Sequence, residues 1–203
     1  MSAPRSLFGP ALPPGARQLF GPDEIRRAVD HLGLQLRETY GDGELTVVVV
    51  LKGALVFAAD LIRHLHMPVR LRTVTARSYR GSDLTPGALE LDLDGLGDLR
   101  DRDVLVVDDI LDTGRTLAGL LHELRALEPT SLRSVVFLDK PERREVAVTA
   151  DFTGLSIDDH FVVGYGLDHD GLYRNIPAIL ALEPTDPAGQ ATDPASAVDH
   201  LDR

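Results

Sequence analysis

Cysteine is absent from this sequence, and its absence removes several kinds of chemistry at once. Without cysteine there are no disulfide bonds, no thiolate zinc sites and no cysteine nucleophile. Any covalent chemistry must therefore use other residues. The absence also fits a reducing compartment, and we expect a cytoplasmic protein.

Long apolar runs are missing as well. A helix that spans a bilayer needs about 20 consecutive apolar residues. The longest apolar stretch here runs from Leu45 to Leu51, which is the length of a strand. We therefore expect no membrane partner.

Positive charge is scarce. Lysine and arginine total 21 against 32 acidic residues, which gives a formal net charge of -11. Such a charge repels the phosphate backbone of nucleic acids, and no run of basic residues offsets it locally. We therefore expect no nucleic-acid partner.

Two common site motifs are also missing. The Gly-x-x-x-x-Gly-Lys-Ser/Thr spacing of a P-loop does not occur, and no histidine pair has the i, i+4 spacing of a metal-binding helix face. Among the histidines, only His169 has a suggestive neighbour, Asp168.

The 203 residues are 43% hydrophobic, which is ordinary for one globular domain. Proline and glycine interrupt the first residues, and the last ones are rich in Pro, Thr, Asp, Ala, Gly and Ser. Such segments have little to bury. We predict a flexible arm over 1–18, a domain over 19–182 and a disordered tail over 183–203.

Between these ends, apolar periodicity alternates between the two regular structures. A helix is predicted from Asp23 to Gly41, since apolar residues recur there every three or four positions. The uninterrupted β-branched run after it is typical of a strand covered on both faces. Further strands are predicted over 69–77, 88–94, 104–107 and 134–138, and further helices over 53–66 and from Gly114 to Leu127. This order predicts an α/β fold with an open, mainly parallel, twisted sheet flanked by helices.

The most informative segment follows the strand that begins at Val104. Asp108 and Asp109 lie at its carboxyl end, where open α/β sheets bind ligands. Asp112 follows, and the sequence Thr-Gly-Arg-Thr over 113–116 then leads into a helix whose free N–H groups can hold a phosphate. The simpler interpretation is that Asp112 and its neighbour only cap the helix. Capping does not explain two further acids at the strand end.

This segment resembles the phosphoribosyl pyrophosphate motif of type I phosphoribosyltransferases. The resemblance implies that Asp108 and Asp109 bind the ribose hydroxyls and organise Mg²⁺. It also implies that Asp112 is the general base and that residues 112–116 hold the 5′-phosphate. Many relatives have Glu where this chain has Asp108, which keeps the charge and shortens the reach.

Further segments are similar to the hypoxanthine-guanine branch and occur in its order along the chain. Lys52 and Gly53 resemble the pyrophosphate loop, and Ser78 with Tyr79 resembles the start of the mobile lid.

The matches continue toward the carboxyl terminus. Lys140 matches the lysine that hydrogen-bonds the purine 6-oxo group. Phe161 matches the residue that stacks on the purine, and the Val162 carbonyl would meet the ring edge. Asp168 would contribute a backbone carbonyl and contact Mg²⁺, and Arg174 would contact pyrophosphate. Without the resemblance, we would favour a solvated surface lysine for Lys140 and a core residue for Phe161.

The resemblance implies a type I phosphoribosyltransferase fold with a small hood built from N- and C-terminal segments, acting in purine salvage as a homodimer or homotetramer. Its partners would be phosphoribosyl pyrophosphate and a 6-oxopurine, hypoxanthine or guanine. Adenine is disfavoured because Lys140 would face an amine. A preference for xanthine stays open. An RNA-binding regulator of pyrimidine genes is an alternative, since such regulators share the 108–116 motif. The 161–168 segment argues against this alternative. The predicted site comprises Lys52, Gly53, Ser78, Tyr79, Asp108, Asp109, Asp112, Thr113, Gly114, Arg115, Thr116, Lys140, Phe161, Val162, Asp168 and Arg174.

Overall fold

The computed structural model describes residues 15–78, 89–93 and 95–182. The predicted tail, most of the predicted arm and Tyr79 lie outside these ranges. The chain forms two compact units. The larger unit is Asp23–Asp159, and the described part of the smaller unit is 15–22 together with 160–182.

In the described residues, the strands are β1 (Ala16–Phe20), β2 (Leu45–Leu51), β3 (Val69–Ser78), β4 (Leu89–Asp92), β5 (Asp103–Leu111), β6 (Ser131–Asp139), β7 (Phe152–Ser156), β8 (Phe161–Val163) and β9 (Ile179–Leu182). The α-helices are α1 (Pro22–Tyr40), α2 (Leu55–Ile62) and α3 (Arg115–Arg125). None of the helices in the described ranges is long and apolar enough to cross a membrane.

The larger unit is built on a sheet with the strand order β4-β3-β2-β5-β6-β7. All its neighbouring strands are parallel except β4, which pairs antiparallel with β3. The central strands are buried runs rich in valine and leucine. Strands of a parallel sheet are typically apolar on both faces, because helices cover both faces of such sheets. This architecture confirms the predicted fold class.

Several element boundaries differ from the predictions. The strand predicted over 104–107 is β5 and runs to Leu111, so Asp108 and Asp109 lie within it, and the strand predicted over 134–138 is β6 and begins at Ser131. One helix is also shorter than predicted. A helix over 53–66 was predicted, whereas α2 is only Leu55–Ile62. The Arg63 and His64 N–H groups bond the carbonyls three residues earlier, so the chain tightens and leaves the helix there. Before the helix, Gly53 belongs to the turn that follows β2.

The strand register gathers the carboxyl ends of the central strands at one edge of the sheet. Leu51 of β2 pairs with Thr75 of β3, and Leu111 of β5 pairs with Asp139 of β6. The residues that follow these strand ends therefore lie along one edge, which we call the carboxyl edge. It carries most of the predicted site.

The smaller unit contains the antiparallel sheet β1-β9-β8. It joins segments from both ends of the described chain, as expected for the hood. Ala16 pairs with Leu182, so residues 16–18, which were predicted to belong to the arm, take part in a strand. A pairing this distant in sequence leaves no local pattern that could predict it.

Candidate active site

Two carboxylates lie where β5 reaches the carboxyl edge. Asp108 is buried and Asp109 is half-buried. Burial raises the pKa of the Asp108 carboxyl well above its usual value, and the negative charge of Asp109 raises that pKa further. The Asp109 N–H donates to Asp108 Oδ1 at 3.0 Å, and the Ile110 N–H donates to Asp109 Oδ1 at 2.9 Å. This pair favours a ligand that brings positive charge or hydroxyl donors.

Gly53 packs directly against Asp109 of this pair. A Cβ atom at Gly53 would lie 1.6 Å from Asp109 Oδ2, so only glycine fits without displacing Asp109. The Leu51–Lys52 peptide bond is cis, and the Lys52 side chain is exposed. The predicted pyrophosphate loop and the predicted ribose-binding acids are thus in contact. Ser78 ends β3 at the same edge, with its backbone paired to Leu89.

The segment 112–116 contains the turn from Asp112 to Gly114 that follows β5 and the first two residues of α3. Gly114 is the N-cap of α3, with φ of 86° and no side-chain capping bond. A Cβ at Gly114 would lie 2.7 Å from Val148 Cγ1, so both the φ angle and the packing require glycine. Thr113 Oγ1 accepts the Arg115 N–H in a long contact of 3.4 Å. The Asp112 carboxylate does not cap the helix here, since its contact is with Arg143.

Arg144 braces this turn from the connection after β6. Its Nη1 donates to the carbonyl of Leu111 at 2.9 Å and to the carbonyl of Asp112. Its Nη2 forms an ion pair with the Asp139 carboxylate. One half-buried guanidinium therefore ties the end of β5 to the end of β6.

The next residues extend the brace. The Glu145 and Val146 N–H groups both donate to the Thr113 carbonyl, at 2.9 and 3.1 Å. The Glu145 carboxylate pairs with Arg115, whose Nη2 lies 2.7 Å from Oε2. The positive charge predicted to assist phosphate binding is thus already paired on the protein, and that role of Arg115 stays a prediction.

Lys140 follows β6 at the carboxyl edge. Its side chain is 8% exposed, which excludes the interpretation as a solvated surface lysine. The Lys140 N–H donates to the Leu111 carbonyl at 3.0 Å. Its Nζ lies 3.4 Å from Oδ1 of Asp159, the last residue of the larger unit. A buried ammonium with a counter-charge is suited to donate a hydrogen bond to a ligand carbonyl.

In the smaller unit, Phe161 begins β8 and is 53% exposed, so it is not a core residue. The His169 ring packs against it edge to face, with centroids 5.3 Å apart. Val162 is buried and pairs with Ala181. The strand ends at Val163, because Gly164 takes a φ of 96° and starts a turn.

Asp168 and Arg174 are brought together in the same unit. Arg174 Nη2 lies 2.7 Å from Asp168 Oδ1, and its Nη1 donates to the Gly166 carbonyl at 2.6 Å. The Gly171 N–H donates to Asp168 Oδ2 at 2.8 Å. Both charged side chains therefore have fixed orientations. Their individual roles stay predictions.

Several residues at the carboxyl edge were not predicted from the sequence. Arg143, Arg144 and Glu145 contact the 112–116 turn, and Asp159 contacts Lys140. A signal was present in the charged run that follows Pro141, but a short charged run is usually a solvated surface. Contacts across about thirty residues of sequence cannot be read from local spacing.

The fold and this arrangement of acids, glycine-capped turn and buried lysine define a class of protein. The phosphoribosyl transferase domain family matches residues 18–170, and the chain belongs to this family.

The similarity to known proteins is more specific than the family. The chain is 39% identical over 166 residues to the hypoxanthine-guanine phosphoribosyltransferase of Bacillus subtilis (strain 168), covering 82% of this chain and 92% of that protein. It is 41% identical over 158 residues to the hypoxanthine phosphoribosyltransferase of Salmonella typhimurium, covering 77% and 89%. The structure of Trypanosoma cruzi hypoxanthine phosphoribosyltransferase in complex with the product IMP is similar with a TM-score of 0.78 at 35% identity, covering 86% of this chain and 98% of that one. The resemblance to the hypoxanthine-guanine branch is confirmed.

Proposed function

We propose that this protein transfers the phosphoribosyl group of phosphoribosyl pyrophosphate to hypoxanthine or guanine and releases pyrophosphate, as an enzyme of purine salvage. The observation that carries the proposal is the carboxyl edge of the larger unit. There, paired carboxylates, a glycine-capped turn at a helix N-terminus and a buried lysine come from neighbouring strands. These are the groups needed for a ribose, a 5′-phosphate and a 6-oxo group.

The phosphates would be held largely by backbone N–H groups and a few cations. The turn 112–116 presents the first N–H groups of α3 to the 5′-phosphate. Lys52 would face the pyrophosphate, with its loop held against Asp109 by the close approach of Gly53. Arg174 would supply a second positive charge to pyrophosphate. Its guanidinium is already oriented by Asp168 and the Gly166 carbonyl.

The base would be recognised by one aromatic face and one cation. The exposed ring of Phe161 offers a stacking surface, and Lys140 would donate to the 6-oxo group. The backbone carbonyls of Val162 and Asp168 would meet the ring edge. Asp112 would accept the imidazole-ring proton, so that the purine nitrogen can attack the anomeric carbon as the bond to pyrophosphate breaks. The transition state has oxocarbenium character, so its stabilisation is electrostatic.

Mg²⁺ fits the acids of this chain as a metal completed by substrate oxygens. Among the described residues there is no cluster of three or more acidic or histidine side chains that could hold a metal. Mg²⁺ commonly takes one or two carboxylates and draws its other ligands from substrate phosphates and water. The resemblance assigns Asp108, Asp109 and Asp168 as the residues that would bind Mg²⁺. The ion would offset charge that develops on pyrophosphate.

The test is an activity screen of hypoxanthine, guanine, xanthine, adenine and uracil with phosphoribosyl pyrophosphate and Mg²⁺. We expect nucleotide product with hypoxanthine, guanine or both, and rejection of adenine. With adenine, the buried ammonium of Lys140 would face an amine, so kcat/KM should be several orders of magnitude lower than with a 6-oxopurine. If xanthine were the best substrate, the proposed base would have to be changed to xanthine. Turnover of none of the five, together with RNA retention in a filter-binding titration, would refute an enzymatic role.

A further inference from the structure

We propose that Arg143 and Asp159 are positioning residues that hold the two base-directed side chains of the larger unit, Asp112 and Lys140, in one ionic chain. The inference rests on the proposed function and adds two residues to it. Neither residue belongs to the motifs from which the function was inferred. Both lie on the connections that leave the carboxyl edge.

The first link of the chain orients the proposed base. Arg143 Nε lies 3.3 Å from Asp112 Oδ1. Carboxylate rotation changes which oxygen faces a ligand, and a guanidinium on one oxygen restricts that rotation. We therefore assign proton acceptance to Oδ2. A correctly directed carboxylate raises the rate of proton transfer rather than the affinity for the base.

The second link orients the proposed specificity residue. Lys140 Nζ lies 3.4 Å from Asp159 Oδ1, and the Lys140 side chain is buried whereas Asp159 is about half exposed. A lysine ammonium has three donors on a flexible stem, so a fixed partner for one donor limits the directions of the other two. Asp159 would thereby direct a Lys140 donor toward the 6-oxo group.

The two links share atoms. Arg143 Nε, which contacts Asp112, also lies 3.8 Å from Asp159 Oδ1, which contacts Lys140. The charges alternate in sign along the chain from Asp112 to Lys140. Moving either central residue therefore alters the surroundings of both ends. The neighbouring Arg144 is paired separately with Asp139.

The competing interpretation is that these are ordinary surface ion pairs. Exposed pairs contribute little to stability and nothing to base recognition. The two interpretations predict different kinetics. If the residues position Asp112 and Lys140, their loss should change kcat or the KM for the base and leave the binding of phosphoribosyl pyrophosphate unchanged.

The experiment compares Arg143→Gln, Asp159→Asn and the double variant with the unaltered protein, using hypoxanthine, phosphoribosyl pyrophosphate and Mg²⁺. We expect Arg143→Gln to lower kcat and Asp159→Asn to raise the KM for hypoxanthine, each by roughly 10- to 100-fold in kcat/KM. The calorimetric Kd for phosphoribosyl pyrophosphate should stay within about threefold of the value for the unaltered protein. The four side chains of the ionic chain do not include the N–H groups of the turn that is proposed to bind phosphate. The loss of kcat/KM in the double variant should be smaller than the product of the two single losses by a factor of at least about five, since the residues act together.

Two controls accompany these variants. Arg26→Gln and Asp23→Asn remove an exposed ion pair of α1 by the same substitutions, and we expect them to leave activity unchanged. Arg143→Lys and Asp159→Glu keep the charges, and each should recover part of the activity lost by its neutral counterpart. Unchanged melting temperatures and phosphoribosyl pyrophosphate binding would show that the variants are folded.

Single-variant activities within twofold of the unaltered protein, or losses that multiply in the double variant, would overturn the inference. An equal weakening of hypoxanthine and phosphoribosyl pyrophosphate binding would also overturn it, since that pattern indicates a general structural role. If the unaltered protein itself fails to form nucleotide, the proposed function fails instead, so the two failures are distinguishable.

Discussion

Asp112 is the residue on which the proposed proton transfer depends most directly. Asp112→Asn keeps the size of the side chain but cannot accept the purine proton. We expect turnover to fall by roughly 10² to 10⁴, the usual contribution of a positioned general base. Affinity for phosphoribosyl pyrophosphate should change far less, because the proposal assigns that substrate to backbone N–H groups and the β5 acids. Single-turnover rates measured beside calorimetric binding test this separation.

A matched control for this change is Asp42→Asn, at an exposed position in the loop that precedes β2. It should leave both binding and turnover unchanged. Near-normal single-turnover rates in Asp112→Asn would mean that the carboxylate only shapes the turn, and the base would have to be another group.

Gly53 gives a sharper steric test, because its neighbour is a proposed ligand of ribose and metal. In Gly53→Ala, the new Cβ would meet Asp109 Oδ2 at 1.6 Å, and Asp109 is restrained by the Ile110 N–H. We expect the carboxylate to be displaced, with a loss of roughly 100-fold in kcat/KM for phosphoribosyl pyrophosphate. Steady-state kinetics at several Mg²⁺ concentrations would measure it.

Gly43→Ala is the control, since a Cβ there would lie 3.5 Å from the Tyr40 carbonyl, an ordinary contact. It should leave kinetics unaltered. Full activity in Gly53→Ala would show that the Asp109 side chain or the loop relaxes without cost, and that the close packing is not required for the reaction.

At the scale of elements, local patterns predicted some parts of the fold and not others. The valine run of β2 and the apolar face of α1 were predicted because each leaves a direct pattern in the sequence, an uninterrupted β-branched run for the strand and apolar residues every three or four positions for the helix. Strand β7 was not, because Gly154 interrupts its pattern. That glycine is needed since a Cβ would lie 2.7 Å from the Phe137 carbonyl. Packing between distant segments selected this residue.

The same limit applies to the site. Asp108, Asp109 and the 112–116 turn were predictable because strand end, acids and helix start are contiguous in sequence. The burial of Lys140 and the exposure of Phe161 were not, and the residues alone favoured the opposite for each. Family resemblance supplied these two assignments, since it carries tertiary information that a single sequence lacks.

The connection after β6 braces the turn that is proposed to bind the 5′-phosphate. Arg144→Met removes the donors to the carbonyls of Leu111 and Asp112 and leaves the Asp139 carboxylate without this partner. We expect a loss of about 2–4 kcal/mol in the free energy of unfolding. The KM for phosphoribosyl pyrophosphate should rise with it, because the turn loses its support. Denaturant unfolding and steady-state kinetics measure the two effects.

Arg27→Met, at an exposed position of α1, is the matched control and should change neither quantity. If Arg144→Met lowered stability but left the KM for phosphoribosyl pyrophosphate unchanged, the brace would be structural only. The turn would then keep its shape through the Glu145 and Val146 N–H groups.

At the scale of the whole molecule, an acidic chain is proposed to bind a polyanion. The formal net charge of -11 opposes phosphoribosyl pyrophosphate at long range. Backbone N–H groups at a helix N-terminus, a few cations and Mg²⁺ can reverse the field locally. The metal is therefore expected to be linked to substrate binding rather than to folding.

This linkage gives a prediction for thermal stability. Because the described residues contain no cluster of three or more potential metal ligands, Mg²⁺ alone should change the melting temperature little. Phosphoribosyl pyrophosphate with Mg²⁺ at about 100 times the Kd should stabilise the fold by about 2.7 kcal/mol. For a chain of this length, that corresponds to a rise of about 5–10 °C. Differential scanning fluorimetry with each ligand alone and with both together measures the rise.

The double variant Asp108→Asn and Asp109→Asn should abolish the stabilisation by phosphoribosyl pyrophosphate with Mg²⁺. Binding of the base to this variant is measured in a separate experiment. A fall of several degrees on adding EDTA to the free protein would contradict the prediction, since it would reveal a metal that the fold itself holds. An equal rise with phosphoribosyl pyrophosphate in EDTA would contradict it too, because binding would then not depend on Mg²⁺.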